Sequence, residues 1–414
     1  MSKTKISILK KILGQIHLWG GLVSGIVVII VAITGCMFVF ETEIRNFTQR
    51  DYRFVEPQNG TKVSLANLAV TVAKEFPTKS IEQVRVYTDP SRSTIVKLVD
   101  KKALEPKKTK KKNKEEHEEE IEKVAYGFNP YTAQLLGKQD LEHDFMHYVE
   151  EMHTSLFLGE VGKWIIKINV VVFFLMLLSG LYLWWPRKKN QRKMAFNLNL
   201  KGKFQIVNYS IHNTLGFYFL LPLMLISLTG IWWAIKPVQK SVYALMGEKM
   251  KKPQKVNSTF EEGKIFSPDM AFGSVAMQYA GWQEAHINFA KNTKEPIRVN
   301  LKYPYDVYKK SNLFEFDQYS GKLLKTELFA NYTPADKIKH ANRDLHTGQN
   351  YGLLGKLLAF FASLFAASLP ITGFLIWYQR KYKKTTPKVL RNPALSEEKI
   401  ARLRPTFKPQ MEKV

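Results

Sequence analysis

The sequence predicts an α-helical membrane protein with four transmembrane helices in two tandem repeats, each repeat carrying a small extracytoplasmic α+β domain. Three observations predict it. Four apolar stretches, near 12–40, 161–185, 211–235 and 353–378, each reach the ~20 residues that a helix needs to cross about 30 Å of hydrocarbon. The polar segments between them give the order span, domain, span, so that residues 1 to about 190 are echoed by about 200 to 385. Finally, histidines recur at equal offsets. His17 and His212 each precede a Thr-Gly pair, Gly35 and Gly230, by 18 residues to the glycine. His153 and His346 precede Gly180 and Gly373 by 27. A mean hydropathy of −0.21 alongside 45% hydrophobic residues means that the apolar residues are concentrated in the spans.

Residues 1–43 combine a basic leader (Lys3, Lys5, Lys10, Lys11) with the first span. The stretch is too long for a signal peptide and lacks an Ala-x-Ala site, so it reads as a retained anchor. Residues 44–152 form the first outer domain, with a helix over 64–76, alternating strands over 83–87 and 94–99, and a hairpin over 126–136. Inside it, 101–123 is a basic run followed by glutamates around His117, which reads as a solvated insertion rather than a metal site because nothing apolar is there to pack it. The second span, 153–187, leads into a loop over 188–206 and a third span over 207–236. The second outer domain, 237–345, repeats the pattern with a helix over 268–279, a strand over 297–303 and a hairpin over 313–324. A fourth span over 346–379 and a basic tail over 380–414 complete the chain.

The net charge of +26 raises the question of nucleic acid, but its distribution answers for a membrane. Arg187, Lys188, Lys189, Arg192, Lys193, Lys201 and Lys203 crowd the short loop without an acid, and the tail opens with Arg380, Lys381, Lys383 and Lys384. Short basic segments stay in the cytoplasm, which puts both termini inside and both domains outside. Trp19, Trp184, Trp185, Trp232, Trp233, Trp377 and Tyr378 fall near span ends, as an interfacial belt requires. The one cysteine, Cys36, excludes an intrachain disulfide and covalent haem attachment through Cys-x-x-Cys-His. Dinucleotide, Walker, nucleophile-elbow and zinc-protease motifs are absent.

Topology sorts the four histidines. His17 and His212 begin outward-running helices near the cytoplasmic face, and His153 and His346 begin inward-running helices near the outer face. A rise of 1.5 Å per residue puts Gly35 about 27 Å from His17, at the depth of the other pair, and Gly180 about 40 Å from His153. Each helix thus offers a ligand at one level and a small residue at the other. That arrangement suits two b-type haems, His17 with His212 and His153 with His346 as axial ligands, with Gly21, Gly35, Gly180, Gly216, Gly230 and Gly373 clearing the macrocycle. Ordinary small-residue helix packing is the competing explanation for the glycines. Zinc suits the pattern less, since it wants four clustered ligands. Arg45, Lys163, Arg187 and Lys356 lie near the right faces to pair with haem propionates, though snorkelling cations look the same. His147 and His340, each six residues before an outer histidine, are either further outer-site groups or exposed helical residues.

The segments Ile16-His17-Leu18-Trp19-Gly20-Gly21, Met152-His153-Thr154-Ser155-Leu156-Phe157-Leu158-Gly159 with its Trp184-Trp185-Pro186-Arg187 ending, and Leu345-His346-Thr347-Gly348-Gln349 resemble the PepSY-associated transmembrane family over about residues 8 to 385. The resemblance implies a bacterial inner-membrane protein with periplasmic PepSY modules, linked to iron uptake, in a family that includes ferric-siderophore reductases. The expected activity is then electron transfer from a cytoplasmic reductase or quinol to a periplasmic ferric siderophore. Reduction to Fe(II) would loosen an oxygen-rich chelate, because the less charged, softer ion binds hard donors less tightly. Copper, sulfur or quinone acceptors, a non-catalytic PepSY scaffold for a periplasmic partner, and transport of a chelate or metal are the alternatives. Transport is disfavoured by the lack of buried acids and of Gly/Pro-broken spans, Pro222 and Pro370 being the only interior prolines.

Overall fold

A computed structural model describes residues 3–101, 124–250, 254–304 and 309–382; the 101–123 insertion beyond its first residue, with His117, and the tail after Tyr382 lie outside them. Helix α1 (Lys3–Val39) is followed by the short α2 (Glu41–Thr48) and α3 (Arg50–Arg53), then by α4 (Leu65–Glu75). After a first set of strands come α5 (Phe145–Ser155) and the long α6 (Gly159–Trp184). The second half runs α7 (Lys189–Phe196), α8 (Phe204–Tyr218), α9 (Leu220–Ala234), α10 (Lys236–Leu245) and α11 (Pro268–Gln278), then a second set of strands, α12 (Pro334–Thr347) and α13 (Gly352–Tyr382).

Among the described residues three helical segments, Ile8–Val39, Gly159–Trp184 and Gln349–Tyr382, are long and apolar enough to cross a membrane. The third expected span is instead the pair α8 and α9, which meet at 64°. Pro222 explains the break: it has no N–H to give and its ring clashes with the carbonyl four residues back, that of Tyr218, where α8 ends. A π-helical turn over Ile211–Leu215 carries His212 inside α8. The span therefore is Pro-broken, contrary to the reading of the sequence.

His153 and His346 do not open their long helices; they sit near the ends of α5 and α12. Leu156 and Phe157, at φ 54 and 57, turn the chain after α5, and Gly348, at φ 73, does so after α12. The turns are tight enough that a Cβ on Gly162 would lie 1.6 Å from the Ser155 carbonyl oxygen, and one on Gly355 would lie 2.1 Å from that of Gly348. Glycine at six and nine residues past each histidine thus folds α6 and α13 back against the helix that holds the histidine.

The extended segments are β1 (Lys79–Tyr87), β2 (Thr94–Asp100), β3 (Val124–Phe128), β4 (Leu135–Asp140), β5 (Glu284–Asn288), β6 (Ile297–Lys302), β7 (Ser311–Phe316) and β8 (Leu323–Glu327). They form one antiparallel sheet, ordered β4-β3-β2-β1-β5-β6-β7-β8. The two outer units share it through the β1–β5 seam, where Arg85 pairs with His286 and Tyr87 with Glu284. Pairing the first strand of each unit satisfies two edges that would otherwise stand open. One face is apolar, with Val84, Val96, Phe128, Ile287, Val299 and Phe314 buried beneath α4 and α11. Asp269 at the start of α11 accepts from the Leu65 and Ala66 amides, each at 2.6 Å, so one half of the chain caps the first turn of the other half's helix.

Candidate metal-ligating histidine pairs

The four histidines form two pairs. His17 and His212 have ring centroids 6.3 Å apart at 89°, and His153 and His346 have centroids 6.3 Å apart at 80°. The first pair lies far from the sheet, and the second beneath it. Each level draws on every long segment. His17 on α1 and His212 on α8 meet Ser179-Gly180 of α6 and Thr372-Gly373 of α13, whereas His153 and His346 meet Thr34-Gly35 of α1 and Thr229-Gly230 of α9.

Hydroxyls fix the ring tautomers. Nδ1 lies 3.0 Å from Ser179 Oγ in His17, 3.0 Å from Thr34 Oγ1 in His153, 2.8 Å from Thr372 Oγ1 in His212 and 2.8 Å from Thr229 Oγ1 in His346. A hydroxyl has one proton, and each of these four already donates it to a carbonyl of its own helix: Met176, Ile30, Ser368 and Leu225 respectively. The oxygen must therefore accept, which puts the imidazole proton on Nδ1 and leaves the lone pair on Nε2. Among the described residues no Nε2 of the four has a hydrogen-bond partner. This is the form of histidine that ligates a metal, with its second nitrogen oriented by a neighbouring group. Two metal–nitrogen bonds of about 2.0 Å plus two ring radii give roughly 6 Å between centroids, so the observed spacing fits one metal between each pair. Among the described residues there is no cluster of three or more His, Cys, Asp or Glu, so further ligands would come from a macrocycle.

Four of the glycines pack against the histidine rings. A Cβ on Gly35, Gly180, Gly230 or Gly373 would stand 3.4, 3.2, 3.7 or 3.4 Å from Cε1 of His153, His17, His346 or His212. They make room for the imidazole, one residue past the hydroxyl that holds it. Gly21 and Gly216 both line a cavity of about 1000 Å³ beside His17 and His212; a Cβ on Gly21 would lie 3.5 Å from Met176 Cε, and one on Gly216 would meet nothing within 4 Å. That volume is at the upper end for ligand pockets, and Leu18, Val28, Phe173 and Trp184 are among its apolar walls.

Of the cations singled out in the sequence, Arg45, Lys356 and Lys163 lie in ion pairs and Arg187 lies over a ring. Arg45 bonds Glu41 at 3.1 Å and pairs with Asp144; Lys356, buried, bonds Glu43 at 2.6 Å. Lys163 bonds Glu160 at 2.6 Å, and Arg187 lies over the Tyr182 ring at 5.3 Å. His340 stacks on Tyr332 at 4.6 Å and His147 lies edge-on to Tyr148 at 6.2 Å; neither contacts a histidine pair.

Sequence reasoning missed the hydroxyls and two asparagines. Asn208 and Asn342, each four residues before a paired histidine, donate to the Thr372 and Thr229 carbonyls at 3.1 and 3.2 Å. Each ties down the threonine that orients the histidine one turn later. An asparagine four residues before each of the second half's two histidines was the available signal, although Leu13 and Val149 stand at the corresponding places in the first half.

A membrane protein with two half-buried histidine pairs crossed by apolar helices and lying beneath an antiparallel sheet is thus defined. The profile of the PepSY-associated TM region matches residues 15–380, and the chain belongs to that family. No curated protein matches it.

Proposed function

We propose that the protein is a di-haem b reductase of the bacterial inner membrane that passes electrons across the bilayer to a periplasmic ferric chelate such as a ferric siderophore. One observation carries the reading: two histidine pairs at two levels, each with centroids 6.3 Å apart and each Nδ1 held by a hydroxyl. His17 with His212 and His153 with His346 would each hold one haem, which when bound supplies one-electron exchange at its level. The chain's own part is to fix four imidazoles as Nδ1–H tautomers and to keep the lower site apolar.

In this reading α8 and α9 together make the fourth span, and the two repeats contribute two spans each. The bent pair reaches from one level to the other, since His212 meets His17 at one end and Thr229 meets His346 at the other. The basic loop supports the orientation: Ala195 of α7 accepts from Trp184 Nε1, which holds the loop at the end away from the sheet. The termini then face the cytoplasm with a reductase or quinol as donor, and the sheet faces the periplasm and the acceptor.

The test is an absorption spectrum of purified protein before and after dithionite, with haem counted per chain. Two haems per chain, followed by reoxidation with ferric siderophore and capture of Fe(II) by a chromogenic chelator, are expected. A colourless preparation from haem-replete cells would sink the reading. Haem that stays reduced when the ferric chelate is added would leave the carrier without this acceptor.

A further inference from the structure

The cavity beside His17 and His212 has a charged mouth that the sequence did not single out. Its lining includes Lys10 and Lys11 from α1 and Arg380 and Lys381 from α13, all exposed, and contains no aspartate or glutamate. Lys10 lies seven residues before His17, and Arg380 seven after Gly373, the glycine packed against His212. Two helical turns are about 10 Å, so both sets of cations stand at one height beyond the ligand level. Among the described residues none of the four has an ion-pair partner. Arg380 lies over Tyr209 at 6.0 Å, and Lys381 over Trp377 and Tyr382, each at 5.2 Å. Neutral ring faces hold these heads near the opening without neutralising them.

The level beneath the sheet is built the opposite way. Arg45, Arg343 and Lys356 are matched there by Glu41, Asp144 and Glu43. An apolar cavity with four unmatched cations at one rim fits a flat apolar molecule that carries two carboxylates on one edge. Resting on the two-haem reading, we infer that Lys10, Lys11, Arg380 and Lys381 anchor the propionates of the haem between His17 and His212. That haem is oriented with its carboxylate edge toward the chain termini. The same cations favour the reduced state, which carries one more negative charge, and so raise the potential of this centre alone.

The experiment is a redox titration of full-length protein with all four residues changed to Gln (K10Q, K11Q, R380Q and K381Q together), followed by optical spectra. H212A identifies which spectral component is the lower centre. In the quadruple variant the reduced-to-oxidised ratio of that centre should fall about tenfold at fixed ambient potential, equivalent to about 59 mV for one electron. Selective loss of the lower haem would support the inference equally. The centre beneath the sheet should stay unmoved, and its retention reports that the bundle has formed. The charge-conserving variant (K10R, K11R, R380K and K381R together) should titrate as the parent does. A lower centre with unchanged potential and occupancy overturns the inference. If anionic lipid is then lost from the purified variant, the cations belong to lipid phosphates. A wild-type protein without haem would instead overturn the two-haem reading itself.

Discussion

At the scale of single residues, the hydroxyls decide what the histidines can do. Thr229 and Thr372 hold His346 and His212 through Nδ1, and Val in place of either keeps the shape while removing the acceptor. Loss of the group that orients a metal-ligating histidine costs about 10- to 100-fold in metal affinity, so on the two-haem reading T229V should weaken cofactor retention at the level beneath the sheet and T372V at the other. Haem content after dialysis against apomyoglobin, resolved by centre, measures it, and equal retention in wild type and both variants would deny the hydroxyls this role. The histidines and glycines were legible because duplication repeats their offsets. The hydroxyls were equally repeated, but their meaning depends on ring orientation, which spacing does not carry. His286, outside the four paired histidines, has local partners in the sheet. It faces Glu284 on its own strand, Lys302 of β6 at 2.7 Å and Arg85 of β1. Burial pushes its imidazole down to about 4; Glu284 opposes the shift, and Lys302 and Arg85 add to it. The folded protein therefore binds fewer protons than the unfolded chain between about 6.5 and 4, and stability from this ring is lost as pH falls through that window. The thermal midpoint of H286Q should drop less between pH 7 and 4.5 than that of the parent; parallel curves would contradict the assignment.

At the scale of elements, helices and strands with a strong period were legible and their joints were not. The helix expected over 64–76 is α4, capped by Ser64, whose hydroxyl accepts from the Asn67 amide. The hairpins over 126–136 and 313–324 are also present. Strand β5 escaped notice because five residues, Glu-Ala-His-Ile-Asn, offer only two apolar positions. Those two, Ala285 and Ile287, are fully buried, and only the neighbouring strands reveal it. The break between α8 and α9 was readable from Pro222, yet hydropathy runs smoothly through it and masks the geometry. Asp269 shows how a joint is stabilised across repeats, since both of its oxygens serve the first turn of α4. D269A leaves two amides without that acceptor and should destabilise the outer domain by about 1 to 2 kcal/mol. Hydrogen exchange should quicken first at Leu65 and Ala66, and unchanged protection there would mean that water replaces the carboxylate without loss.

At the scale of the whole molecule, the two halves of the chain are interleaved rather than stacked. The first half supplies His17 to one level and His153 to the other, and the second half supplies His212 and His346 in the same way. His153 bonds Thr34, and Thr34 lies 17 residues along α1 from His17, about 25 Å at helical rise. The two histidines of one half therefore cannot share a metal within one copy. The halves also close one sheet through β1 and β5, and Asp269 of the second half caps α4 of the first. Residues 1–200 and 201–414 made as separate chains in the same cell should thus assemble, and the complex should show both centres in its reduced spectrum. Either chain alone, held monomeric in detergent, should show neither. A monomeric first half that binds one haem between His17 and His153 would require the two to meet, and no bundle with the observed Thr34–His153 bond allows that.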